Sequence, residues 1–190
     1  APLAPDHEPD FPPPPPDEGE PAAVMPTLSA EEWDLVRQCA EEPQNDIGNS
    51  RRMRIRCGED LSYMQRIGWF VWNNQCWEED IESKVSRPLA HKVVEAIGHE
   101  AFVLQPTPQE EAAMAAGAKA QSDLDEIEAL AEKGDDNKRQ VIRLRRVRDE
   151  GKIAADQVDG RRSSRRRFAV TAGNSGKIEG MMRELGPYLS

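Results

Sequence analysis

The chain has 190 residues, a formal net charge of −10, and 37% hydrophobic against 32% charged residues, enough for one modest core with solvated appendages. The acidic balance opposes general affinity for phosphate backbones, and no apolar run approaches the roughly 20 residues that span a bilayer. Cys39, Cys57 and Cys76 contain no Cys-x-x-Cys pair, which excludes a disulfide framework and a four-thiolate zinc site and fits a reducing cytoplasm.

Residues 1–27 carry the proline run 12–16 and several acids but no Lys or Arg, so they read as an extended polyproline tail, more simply a spacer than a Pro-x-x-Pro ligand. Ser29 with Glu32 forms a capping box for a first helix through Trp33, Val36 and Ala40, ending before Pro43. Asn45 or Asp46 caps a second helix through Met53 and Cys57, with Gly58 expected as its left-handed terminator.

Between Leu61 and Trp77 the apolar period changes to two, and five of the ten aromatic residues fall there: Tyr63, Trp69, Phe70, Trp72 and Trp77. Taking Asn73-Asn74 as a two-residue turn sets Phe70 opposite Trp77 and Val71 opposite Cys76, with both faces of the hairpin apolar and packed on helices or joined by the segment 62–67. Trp69, Phe70, Trp72 and Trp77 are expected as structural rings within the core, rather than as a stacking platform for unpaired bases.

Leu89, Val93, Val94 and Ile97 predict an amphipathic helix over 88–100, after which Pro106 and Pro108 break the chain. An alanine- and glutamate-rich helix over 109–133, a turn at Gly134-Asp135-Asp136, and a second helix through Val141, Leu144 and Ile153 give a protruding antiparallel arm. A last pair follows, one helix over 161–172 and another over 175–185 capped by Asn174 and closed by Gly186-Pro187. The expected fold is α+β, mainly α: a tail (1–27), a helix and hairpin part (28–105), an arm (106–160) and an Arg-rich helical pair (161–190).

Candidate chemistry is sparse. Gly173-Asn174-Ser175-Gly176-Lys177 has two residues between its glycines where a phosphate loop needs four, and Ile178 follows the lysine. His91 and His99 lie eight apart, too far along a helix to share one ion, and there is no Gly-x-Ser-x-Gly elbow. The expectation is no catalytic residue, no metal and no cofactor. Arg161, Arg162, Arg165, Arg166 and Arg167, backed by Arg143 and Arg146, are the charged cluster that bears on function, as a contact for DNA or for a partner protein. The alternative is a solvated helix face paired with its own acids.

Taken in order, Asn49-Ser50-Arg51-Arg52, Arg56-Cys57-Gly58-Glu59-Asp60-Leu61, Gly68-Trp69-Phe70-Val71-Trp72, Trp77 and Asp80 resemble the domain that lies immediately before the motor in poxvirus-type and phage or plasmid superfamily 3 primase-helicases. The long helical insertion, the stretch Ser163-Ser164-Arg165-Arg166-Arg167-Phe168-Ala169 and the last helix extend the likeness to prophage versions, over about residues 45–190. The resemblance implies an accessory role beside a hexameric ATPase, with DNA, a downstream helicase ATPase domain or primase, and other copies of the chain as partners, and no membrane. The ATP-binding loop, its acidic partner and the arginine finger are absent from this sequence, so it implies an amino-terminal fragment or a truncated prophage product. The rival expectation is a prophage structural or protein-interaction module that binds no nucleic acid.

Overall fold

The computed structural model describes residues 25–129 and 135–189. The tail expected over 1–27 therefore lies almost wholly outside the described residues; of the turn expected at Gly134-Asp135-Asp136, Gly134 lies outside them, and Asp135 and Asp136 are the first residues of a helix. The described residues form a small sheet and six α-helices: α1 (Ala30–Ala40), α2 (Asp46–Cys57), α3 (Ser86–Glu100), α4 (Pro108–Ala129), α5 (Asp135–Ala172) and α6 (Ser175–Leu185). The strands β1 (Leu61–Met64), β2 (Gly68–Trp72) and β3 (Trp77–Glu79) form an antiparallel meander in the order β1-β2-β3. The fold is α+β and mainly α.

The caps that start the first two helices are those the sequence encodes. Ser29 Oγ accepts from the Glu32 amide at 3.2 Å while Glu32 Oε2 accepts from the Ser29 amide at 2.8 Å, so two otherwise orphaned donors are satisfied reciprocally. Asn45 Oδ1 accepts from the Gly48 amide at 2.8 Å. Gly58 departs from expectation: it keeps right-handed angles (φ −65°, ψ −23°), and a turn closed by the Asp60 amide on the Cys57 carbonyl reverses the chain. Asn174 occupies the position before α6 as expected, with no hydrogen bond from its side chain to the helix.

The hairpin register is corrected by two residues. Trp72 faces Trp77, Val71 faces Glu78 and Phe70 faces Glu79, because the connection is the longer loop 73–76. Asn73 organises it: its Oδ1 accepts from the Gln75 and Cys76 amides at 2.9 and 2.8 Å, and among these residues Asn74 alone has positive φ, at 72°. A side chain that already satisfies two loop amides removes the need for a tight two-residue turn. With this register Leu61, Tyr63, Trp69 and Val71 share the inner face and Phe70, Trp72 and Trp77 the outer one.

The core lies where that inner face meets α2, α3, the end of α5 and α6: Met53, Leu61, Trp69, Val93, Val94, Ile97, Ala172, Ile178, Met181 and Leu185 are buried together. Trp69 enters this core and stands edge-on to Tyr63, ring centroids 5.2 Å apart. Trp72 and Trp77 do not enter it, remaining 37% and 45% exposed.

The largest difference from expectation is α5. The sequence suggested a break near residue 160, but a single helix of 38 residues runs from Asp135 to Ala172. One exposed glycine at position 160 costs about 1 kcal/mol in a helix, and packing on both sides of it outweighs that: Ala154 and Val158 are buried against the arm, Arg165 and Ala172 against the body. α4 and α5 lie antiparallel along a seam where Gly117 meets Gly151, and Ala120, Leu124, Ala154 and Val158 are buried along it.

Candidate functional site

The predicted arginine cluster does not form one surface. Successive residues on α5 turn by about 100°, and each guanidinium meets a different part of the molecule. Arg161 forms two hydrogen bonds to Glu110 at the start of α4, at 2.6 and 2.7 Å. Arg162 donates to the Leu104 carbonyl at 3.1 and 3.3 Å. Arg166 lies over the Phe102 ring with its guanidinium carbon 5.8 Å from the centroid. Arg167 is exposed and free of ion pairs and hydrogen bonds among the described residues. Arg143 and Arg146 sit far along the arm, about 22–27 Å from Arg161 at 1.5 Å per residue.

Arg165 is buried. It donates through Nη1 to Glu100 Oε2 and through Nη2 to the Ala40 carbonyl at 3.2 Å. The same carboxylate receives Arg52, whose Nε and Nη2 meet Glu100 Oε1 and Oε2 at 2.8 and 3.1 Å in a forked pair. Arg52 also donates to the Pro43 and Glu42 carbonyls at 2.7 and 2.6 Å. Arg52 is wholly buried and Glu100 is 1% exposed. Two cations against one anion leave a surplus positive charge, and the backbone supplies the compensation: the carbonyls of Ala40, Glu42 and Pro43 lie at the carboxyl end of α1, where the helix dipole is negative. One carboxylate and two guanidiniums thus tie α1, α2, α3 and α5 together.

Sequence reasoning missed Glu100 and Arg52 as partners, although the signal was present. Glu100 lies on the same helical stripe as Val93 and Ile97, seven and three residues on, and Arg165 lies seven after the buried Val158. A charge placed on a core stripe must find an opposite charge there.

Asp80, just after β3, is the second fixed carboxylate. Its Oδ1 accepts from the Val85 amide at 2.9 Å and its Oδ2 from the Ser86 amide at 2.8 Å, capping α3 from six residues upstream. Burial works against its ionisation, but hydrogen bonds from Ser86, Val85 and Lys84 outweigh that and hold its carboxyl below the ordinary value. At the arm root the Arg161 guanidinium holds the Glu110 carboxyl down at about 2.

A carboxylate with a depressed folded pKa stabilises fully above its unfolded value and loses that contribution as pH falls through the folded one. The capping of α3 and the root of the arm are therefore intact at neutral pH, and the root weakens from about pH 4.5 toward about pH 2. Asp80→Ala is expected to cost about 1–2 kcal/mol at neutral pH, the range of a lost helix cap, and to remove part of the acid sensitivity of melting below pH 4. Equal melting curves for both chains across that range would refute the cap.

Among the described residues no group of three or more His, Cys, Asp or Glu is placed to hold a metal ion, and no helix is long and apolar enough to cross a membrane. Burial pushes the Cys39 and Cys57 thiols up, away from the reactive thiolate. A cavity of about 360 Å³ between α2 and the end of the chain is walled by Ile55, Leu185 and Tyr188 with Arg51 and Arg54 at its rim.

No curated protein and no solved structure matches the chain. The family described as D5 N terminal like matches residues 50–186, which takes in the Arg52–Glu100–Arg165 network, the aromatic hairpin and the whole arm. The chain therefore belongs to the D5 N terminal like family, the amino-terminal domain of D5-type primase-helicases.

Proposed function

We infer that this chain is a non-catalytic accessory domain of a phage or plasmid DNA-replication primase-helicase, and that it positions a contact surface beside the ATPase motor. The observation that carries this reading is the fate of the arginine segment: Arg162, Arg165 and Arg166 brace the arm against the body, and Arg161 ties the two arm helices together at their root. A braced helical arm holds whatever it presents at a fixed place, which is what a positioning element requires. The groups it presents are Arg139, Arg143 and Arg145, exposed and free of ion pairs and hydrogen bonds among the described residues.

DNA is the second reading for that surface, favoured by these three free guanidiniums and opposed by the net charge of −10. Two measurements test the proposal. The purified chain is expected to hydrolyse neither ATP nor deoxynucleotides, with or without DNA, and turnover above a blank removes the accessory role. In a titration with single- and double-stranded DNA, three phosphate contacts would give a slope of log affinity on log salt of about −2 to −3, flattened by replacing Arg139, Arg143 and Arg145 with glutamine. Binding that persists unchanged in that variant refutes the DNA reading of the arm.

A further inference from the structure

The cavity between α2 and the end of the chain has a build that specifies an occupant. Its volume is about 360 Å³, and its walls are Ile55, the buried Leu185 and the ring of Tyr188, which is 54% exposed. Arg51 and Arg54, both exposed and three residues apart on α2, stand at its rim. Arg51 shares an ion pair with Glu42 at 3.2 Å, whereas Arg54 has neither an ion pair nor a hydrogen bond among the described residues. A space of this size has room for one benzyl side chain with an adjoining ring, and an exposed tyrosine at its mouth is a surface on which proline rings pack. The chemistry that fits is an extended segment with an aromatic anchor, prolines beside it and carboxylates on either side. A second cavity of about 560 Å³ shares Arg54, Ile55 and Tyr188 with the first and runs to Leu35 on α1. Glu59 and Asp60 line that second space, so carboxylates are favoured at the first cavity and repelled from this one.

A segment of that chemistry stands in the same chain. Phe11 is the one Phe, Tyr or Trp before Trp33, and prolines 12–16 follow it directly. Asp6, Glu8 and Asp10 precede it, Asp17, Glu18 and Glu20 come after the prolines, and residues 1–24 hold no Lys or Arg to oppose them. A proline run favours the polyproline II conformation, which has little conformational entropy left to lose on docking. The tether is long enough. Eighteen residues separate Phe11 from Ser29 at the start of α1, a span of about 56 Å when extended at 3.1 Å per residue. Glu42, which lines the cavity just past the far end of α1, lies only about 20 Å from Ser29 at 1.5 Å per residue.

We propose that residues 10–18 of the chain dock in this cavity, with the Phe11 ring between Ile55, Leu185 and Tyr188, the prolines across the Tyr188 ring, and Asp10, Asp17 and Glu18 against Arg54 and Arg51. The cavity is then occupied by the chain's own tail, and a partner segment of the same chemistry must displace it. This contact goes beyond the accessory role and does not depend on it: nucleotide turnover would end that role and leave the docked tail untouched.

Fluorine NMR of the full chain with 4-fluorophenylalanine at position 11 tests the contact, using a synthetic peptide of residues 6–20 with the same label as the free reference. The expected result is a resonance shifted from that of the peptide and broadened by tumbling with the body, unchanged over a tenfold dilution. Tyr188→Ala, and separately Arg51→Glu with Arg54→Glu, should each lower the ratio of docked to free tail at least about tenfold, as loss of an aromatic or arginine anchor does. Adding Asp10→Lys, Asp17→Lys and Glu18→Lys to the Arg51→Glu, Arg54→Glu chain should restore the shifted resonance, because opposite charges then meet again. Circular dichroism checks the fold of each variant, and one that loses it is replaced by its glutamine counterpart, for which the same loss of docking is expected. A resonance that coincides with that of the peptide, a shift that survives both sets of cavity substitutions, or no rescue by the charge swap overturns the proposal. A shift lost on dilution also overturns it, since the occupant is then the tail of another copy.

Discussion

Glu100→Ala is expected to be the most damaging single substitution in the body of the protein. It leaves Arg52 and Arg165 facing each other with no anion between them, both buried. Removing one partner from a buried ionic network typically costs about 3–5 kcal/mol, which for a chain of this size corresponds to a fall of roughly 6–20 °C in melting temperature. Arg165→Met should cost clearly less, because it takes the network from one surplus positive charge to none and leaves the forked Arg52–Glu100 pair complete. The ordering is the test. If thermal melts place Arg165→Met below Glu100→Ala in stability, charge balance does not govern this site and the account of it given above is wrong.

Gly151→Val carries the second large expectation, at the arm. A Cβ on residue 151 would lie 2.8 Å from the Ala113 carbonyl oxygen and 2.8 Å from the Gly117 Cα, backbone atoms that cannot rotate out of the way. Two helices must then separate along their whole seam. Overpacking in a tight contact costs about 1–3 kcal/mol and occasionally more, and here it falls on a thin layer of Ala120, Leu124, Ala154 and Val158 with little else to hold it. Amide exchange in α4 should accelerate strongly while the amides of α3 and α6 keep their protection, since the body core shares no buried residue with the arm seam. Uniform acceleration across both regions would show that arm and body unfold as one unit.

Local chemistry made much of this architecture legible in the sequence. The Ser29–Glu32 box, the Asn45 cap and the apolar spacing of Val93, Val94 and Ile97 each announce a helix whose start or face is decided within a few residues. The order of motifs also pointed to the family. What stayed hidden depends on contacts between distant segments. Gly160 reads as a breaker until the packing of Val158 and Arg165 on either side is known. Arginines 161, 162, 165, 166 and 167 read as one patch until the helix turns the first four toward Glu110, Leu104, Glu100 and Phe102 and leaves Arg167 exposed. Trp72 and Trp77 read as core rings because composition alone cannot say which face of a sheet the helices will cover; only the register places them with Phe70 and Glu79 on the uncovered one.

An unbroken α5 also has a mechanical meaning. Its last turns are embedded in the body and its first turns lie at the far end of the arm, so the helix behaves as a beam clamped at one end. Arg139 lies about 33 Å from the clamp at Arg161, and a tilt of about 10° at the root would sweep it through about 6 Å. Slight repacking around Glu100 is thereby magnified into a displacement longer than one helical turn at the far end of the arm.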